Sequence, residues 1–302
     1  MSTSKSPKAV LTVAFQIGAM VLPLYAHKFS PKKFTQPQLF ACLVFKEFML
    51  LDYRKLAQTL QDTPEFCRAV ELTTVPHFTT FEKAAKRLLR LKLAKRLLGA
   101  TVRQARQLGV VGSRVRLAAL DGTGFESRHA SSYYVRRRAK GSETVQKTTY
   151  ARFPKAGIVC DTDSHLILAI IAAQGPGPDI VHFRSALDQA RANIRIAAIA
   201  ADAGYDSEAT HEYCRAECGV RSLIPPRIGR PSAKPPRGYW RRQMYVHLKQ
   251  SRYGQRWQVE TVNSMLKRLW GAAVRARQYW SRCRELWLRA ITLNTMILAP
   301  HT

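Results

Sequence analysis

The sequence predicts an α/β protein: a mixed five-stranded sheet flanked by helices, preceded by an all-α N-terminal region. Three observations carry this reading. The first hundred or so residues space their apolar positions as helices do. Beyond Gly109–Ser113, which reads as a linker, short apolar strands alternate with helical segments. Two of these strands end on an aspartate, Asp121 in RLAALDGT and Asp202 in IAAIAADAGYD, and a late helix carries Glu260. The boundary implied divides residues 1–112 from 113–302.

Taken in order, Ala9–Ala26 is an uncharged run behind Lys5 and Lys8. It resembles a signal peptide or short span, but Gln16, Gly18 and Pro23 interrupt it, and a buried first helix is the reading preferred. Pro37-Gln38-Leu39 opens the apolar segment LFACLVFKEFMLL, with DYRKLAQTLQ behind it. After a break at Thr73–Pro76, one long amphipathic helix is expected from about Thr79 to Gln107, with Phe81, Ala85, Leu88, Leu89, Leu93 and Leu97 on its apolar face. The turn at Pro76 fits a helix-turn-helix loosely and a plain bundle equally well.

In the second region RVRLAALD is a strand with Asp121 at its end. KAGIVCDTDSHLILAIIAA is a hairpin turning at Asp161–Ser164, followed by a helix from about Asp179 to Asn193 with Asp179 as its N-cap. RIAAIAAD, the helix DSEATHEYCRAECG closed by Gly219, and the strand VRSLIP come next. The Pro/Gly/Arg-rich PPRIGRPSAKPPRG reads as a mobile link. The Glu260 helix and the apolar helix ELWLRAITLNTMIL end the chain. Gly122-Thr123 and Gly204-Tyr205 are expected to shape turns that aim the two aspartates. Strand, hairpin, helix, strand, helix, strand, helix is the order of an RNase H-like core.

Charge narrows the partners. Lys and Arg number 49 against 20 Asp and Glu, a formal charge of +29. A polyanion, by default nucleic acid, is the partner this implies. Lys83–Leu120 holds eleven cations and no acid, and Cys218–Val259 again lacks acids while Arg241 and Arg242 fall within it. Arg136, Arg137 and Arg138 form a third cluster. Three basic runs around acid-bearing segments read as DNA tracks. Six cysteines without framework spacing point to a reducing compartment, and His211, Cys214 and Cys218 read as buried helix residues rather than zinc ligands.

The most specific segment is YGQRWQVETVNSMLKRLWG. Tyr253, Arg256, Glu260 and Lys267 follow one another at offsets of 3, 4 and 7. On a continuous helix these share one stripe. A carboxylate between two cations and a phenol suits a metal held beside a phosphate. With Asp121 and Asp202 it makes the three carboxylates of a two-metal phosphoryl-transfer site. Trp257 and Trp270 read as packing residues.

On these motifs (DGTGF at Asp121, DAGYD at 202–206 and the Tyr-Arg-Glu-Lys segment) the chain resembles the DDE transposases of bacterial and archaeal insertion sequences that carry the Y-R-E-K signature, over roughly Val115–Leu298. The resemblance implies that Asp121, Asp202 and Glu260 are catalytic and bind two Mg²⁺, with Mn²⁺ a possible substitute. One ion would activate the attacking water or 3′-hydroxyl and the other would stabilise the leaving oxygen. Tyr253, Arg256 and Lys267 would grip phosphates of double-stranded DNA, at terminal inverted repeats and at the target. Residues 1–112 would serve DNA binding or assembly, residues 113–302 would form the catalytic domain, and a homodimer in the cytoplasm, beside the nucleoid, would pair two ends. The separations are 80 residues from Asp121 to Asp202 and 57 from Asp202 to Glu260, and the second leaves no room for the long β-rich insertion that the family often carries there. The rival readings are a nuclease without strand transfer, a DNA-binding descendant that has lost catalysis, and a membrane-attached protein.

Overall fold

The computed structural model describes residues 3–29, 31–127, 132–138, 145–227 and 235–302, with the backbone alone for 133–138, 145–146 and 150. A helical region comes first: α1 (Pro7–Val21), α2 (Gln36–Phe48), α3 (Tyr53–Asp62), α4 (Pro64–Ala69), α5 (Phe78–Leu88) and α6 (Leu91–Gln107). The remainder holds β1 (Arg114–Val115), β2 (Ala118–Gly124), β3 (Ser132–Arg138), β4 (Val145–Ala151), β5 (Phe153–Asp161) and β6 (Ile167–Gly175). Then follow α7 (Phe183–Asn193), β7 (Arg195–Ile196), β8 (Ala198–Ala200), α8 (Glu208–Glu212), β9 (Arg221–Leu223), α9 (Tyr239–His247), α10 (Gln258–Trp270) and α11 (Tyr279–Leu298).

The main sheet has the order β6-β5-β2-β8-β9. β5 pairs antiparallel with both β2 and β6, while β8 is parallel to β2 and to β9, so the sheet is mixed. β5 is buried from Pro154 to Asp161 and β2 from Ala118 to Leu120, as strands covered on both faces are, while β2 becomes more open from Asp121 on. The antiparallel hairpin β3–β4 stands apart from it.

One apolar core runs from the helical region into the sheet. α1 buries Val10, Leu11, Val13, Ala14 and Ile17 in it, and among the described residues no helix is long and apolar enough to cross a membrane. α2 begins on a capping box, in which the Thr35 hydroxyl takes the Gln38 N–H and the Gln38 side chain takes the Thr35 N–H. α11 is buried along its last three turns and packs against α6, α2 and β6. Asn294 fastens it: its Oδ1 accepts the Ile167 N–H at 2.8 Å, and its Nδ2 donates to the Ile167 carbonyl at 2.8 Å and to the Thr101 hydroxyl at 2.8 Å. The amide thereby satisfies an edge-strand residue that would otherwise leave both backbone groups unpaired inside the core.

A buried charge cluster holds α10 and α11 to the end of α2. Arg289, 1% exposed, lies 3.5 Å from Glu47 and 2.7 Å from Glu285, and donates to the carbonyls of Gly271 and Ala273. Trp270 donates its ring N–H to the Glu47 carbonyl at 2.8 Å, so this tryptophan packs inside as the sequence suggests.

Several local expectations are corrected. The long helix expected over 79–107 is two helices, because Arg90 is extended and the chain turns there. This lets α5 pack on α2 and α3 while α6 packs on α11 and β6. β2 does not end at Asp121 but continues to Gly124, held by β5 through the pairs Asp121↔Ile158 and Gly124↔Lys155. Gly122-Thr123 is therefore strand, not turn, whereas Gly204-Tyr205 does lie in a 3₁₀ turn. The hairpin turn at Asp161–Ser164 stands as expected: Asp161 Oδ2 accepts the Ser164 N–H and hydroxyl. α9 and the β3–β4 hairpin were not foreseen. Within the Pro/Gly/Arg-rich link, residues 228–234 lie outside the described residues.

Candidate functional site

Strand register sets two of the three carboxylates. In the parallel pair β2–β8, Ala119 stands opposite Ala200. Asp121 and Asp202 each lie two residues further on, and Asp202 is still extended. Adjacent strands run about 5 Å apart, so the two side chains sit level on neighbouring strands. Asp202 also caps the next turn, accepting the Gly204 N–H at 2.9 Å.

The third carboxylate arrives on α10, which packs across β2 and β5. Asn263, one turn beyond Glu260, donates from Nδ2 to Asp121 Oδ2 at 3.1 Å. Asp121, Gly122, Thr123, Glu260, Asn263, Ser264, Lys267 and Arg268 line a single cavity of about 450 Å³. The Lys267 ammonium stands over the Phe125 ring, 5.7 Å from its centre.

The expected helical stripe is half right. Tyr253 and Arg256 lie in a 3₁₀ segment, Arg252–Trp257, and only Glu260 and Lys267 are on the α-helix. The tighter winding still carries Arg256 to Glu260, and the two form an ion pair. The Tyr253 hydroxyl feels the charges of Arg256 and Asp202. Burial, aided by the Asp202 and Glu260 carboxylates, pushes the Tyr253 hydroxyl above its ordinary value against the pull of Arg256.

Asp121 is pushed up to about 6. Burial is the main cause, and the carboxylates of Asp202 and Glu260 add like-charge repulsion, while the Gly122 N–H and Arg256 oppose it. Residues 81 and 139 positions apart in the chain thus share one electrostatic neighbourhood with Asp121.

A fourth acid lies alongside. Asp179 is not the N-cap expected: it opens a 3₁₀ turn and pairs with Lys155 at 2.7 Å. It approaches β2 so closely that a Cβ on Gly122 would stand 2.4 Å from its Oδ1. Tyr205 is buried between these groups, and burial together with Asp179, Asp121 and Asp202 raises its hydroxyl far above the ordinary range.

The remaining sequence candidates are Arg241, Arg242 and Arg136–Arg138. Arg241, on α9, is committed to Asp206, with 2.7 Å from its Nη2 and 2.9 Å from its Nε to Oδ2. Arg242 donates to the Pro236 carbonyl at 3.2 Å and stays exposed. The side chains of Arg136, Arg137 and Arg138 lie outside the described residues, although their backbone forms the end of β3. Trp257 is 55% exposed, beside Arg256, and so does not pack as the sequence suggested. Asn263 was overlooked. Its position three residues after Glu260 was the available signal, since that spacing shares a helix face. His211, Cys214 and Cys218 hold no metal-like cluster: His211 bonds Ser222 at 2.7 Å and lies 3.5 Å from Asp206.

The carboxylate set suits a divalent cation in kind. All three groups are hard oxygen donors, the type Mg²⁺ and Mn²⁺ prefer, and burial makes the Asp121 carboxylate costly to ionise without a cation. Glu260, however, is turned onto Arg256, and among the described residues no three acidic, His or Cys side chains converge closely enough to hold an ion. The donors fit in kind, with Glu260 held aside by an arginine.

A mixed five-stranded sheet flanked by helices, with an all-helical region before it, defines an RNase H-like α/β protein. Residues 113–295 match the family described as "Transposase DDE domain", and the chain belongs to that family. Membership makes it a transposase-type enzyme that binds DNA, in a family that generally uses divalent metals. No curated protein matches the chain.

Proposed function

We propose that the protein is a DNA transposase that cuts at the terminal inverted repeats of an insertion sequence and joins the 3′-hydroxyl ends to target DNA. Asp121, Asp202 and Glu260 are its catalytic residues and would hold two Mg²⁺ ions, or Mn²⁺ in their place. The observation that carries this is the β2–β8 register, which levels Asp121 with Asp202 beneath the helix bearing Glu260. When bound, the cations would supply charge stabilisation to the attacking and leaving oxygens at the scissile phosphate.

The side chains divide the rest of the work. Asp121 is costly to ionise alone, so its carboxylate gains most when a cation offsets its neighbours. Arg256 and Lys267 supply fixed positive charge for phosphate oxygens, Arg256 through a guanidinium able to bond two of them. Tyr253, whose hydroxyl is raised, remains protonated and donates. Two ends must be cut and joined together, so a homodimer is the working assembly. The helical region at 1–112 then serves DNA binding or assembly, and 113–302 the chemistry.

The test is cleavage and joining of a labelled duplex carrying the element's terminal repeat, with Mg²⁺, for wild type and Glu260→Ala. Cut ends and joined products from the wild type alone, with DNA binding kept in the variant, support the reading. Cutting without joining selects a nuclease. Tight binding with no metal-dependent cutting by either protein removes the catalytic assignments.

A further inference from the structure

We propose that Asn263 is a positioning residue that fixes the Asp121 carboxylate for cation binding; this rests on the reading that Asp121 holds the cation. Asn263 Nδ2 donates to Asp121 Oδ2 at 3.1 Å, a bond from the helix to the strand acid. With Oδ2 engaged from the helix, the carboxylate has less freedom to turn.

The rest of the amide argues that this contact serves the site rather than the fold. Asn263 is 7% exposed, and its Oδ1 is buried with no hydrogen-bond partner. A buried carbonyl oxygen left unpaired forfeits its hydration, so the side chain is a poor choice for stability at this place. An apolar residue would fill it as well. What an apolar residue lacks is the donor aimed at Asp121. Because Asn263 lies one turn from Glu260, the same bond also sets the spacing between the strand acid and the helix acid.

The experiment is a Mn²⁺ titration of the full chain without DNA, followed by the free-ion electron paramagnetic resonance signal, with thermal melting in metal-free buffer as the control for folding. Asn263→Ala should melt as the wild type does yet bind Mn²⁺ about tenfold more weakly, the usual loss on removing a group that orients a ligand. Asn263→Asp should bind at least as weakly as the alanine variant, because it accepts only and repels Asp121. Asn263→His, which restores an N–H near the same place, should recover most of the affinity. Wild-type affinity in Asn263→Ala overturns the proposal. So does an Asn263→Asp variant that binds as tightly as wild type or tighter, since the side chain would then act through its oxygen. Wild-type Mn²⁺ binding that survives Asp121→Ala overturns the metal reading itself, and the positioning role with it.

Discussion

Arg256 reaches one turn along the chain and pairs with Glu260, a carboxylate that lines one cavity with Asp121. The guanidinium is four-fifths buried and the carboxylate about half exposed. Without DNA or metal, the arginine meets the charge of an acid that the proposed chemistry needs elsewhere. A phosphate entering the cleft competes for the arginine, and a cation competes for the acid, so each favours the other's arrival.

Arg256→Ala separates those two competitions. With Glu260 released, Mn²⁺ binding in the absence of DNA should tighten up to about fivefold, the worth of one partly exposed ion pair. Cleavage of a repeat-bearing duplex should fall by more than about a hundredfold, since a donor aimed at the phosphate is lost. Mn²⁺ titration and single-turnover cleavage read the two effects. Weaker Mn²⁺ binding in the variant would show that the arginine does not hold Glu260 aside.

Acid should unfold the protein partly through Asp206. Burial raises this carboxyl, but His211, the Arg241 guanidinium and the Arg227 N–H together hold it below its ordinary value. A depressed folded value means that the unfolded chain takes up the proton first. The stabilisation is therefore complete above about pH 4, the unfolded value, and is lost as pH falls through the folded one. Asp206→Asn should cost about 3 kcal/mol at pH 7, because it strands a half-buried arginine. Its stability should also vary less with pH below 4. Chemical denaturation between pH 2.5 and 7 checks both, and an acid limb as steep as that of the wild type would clear Asp206.

Gly122→Ala should destabilise by about 1–3 kcal/mol, as overpacking does. The new Cβ would meet Asp179 Oδ1 at 2.4 Å, and Asp179 is held in place by Lys155. Asp179→Ala should add little further loss in the Gly122→Ala background, because the space is already vacated. Calorimetric melting of the four proteins in that cycle gives the coupling. Additive losses would mean that β2 yields instead of Asp179.

Much of this was legible in the chain. The apolar runs RVRLAALD and RIAAIAAD read as strands, although each divides into two, β1 with β2 and β7 with β8, shared between two sheets. The Asp161–Ser164 turn fell where its polar residues predicted, and Asp121, Asp202 and Glu260 stood out by residue type and context. The errors share one cause. Periodicity ran through Leu88–Leu93 without interruption, so nothing local marked the bend at Arg90; different neighbours on each side impose it. Gly122-Thr123 carries turn composition but lies in strand, because pairing with Gly157 and Ala156 of β5 outweighs local preference. Trp257 and Trp270 are the same residue type on adjoining elements, yet a carbonyl of α2 receives one ring while the other faces solvent.

By itself, the sequence determined the alternation of strand and helix, the basic balance and the identity of the acids, since these depend on composition and local spacing. Only the tertiary structure decided how the acids meet. Asp121 and Asp202 are level because Ala119 and Ala200 fall in register, a property of strand pairing that no local pattern encodes. Asn263 reaches Asp121 because α10 lies across β2. Contacts over such sequence separations depend on how whole elements pack, and that is fixed only when the core closes around them.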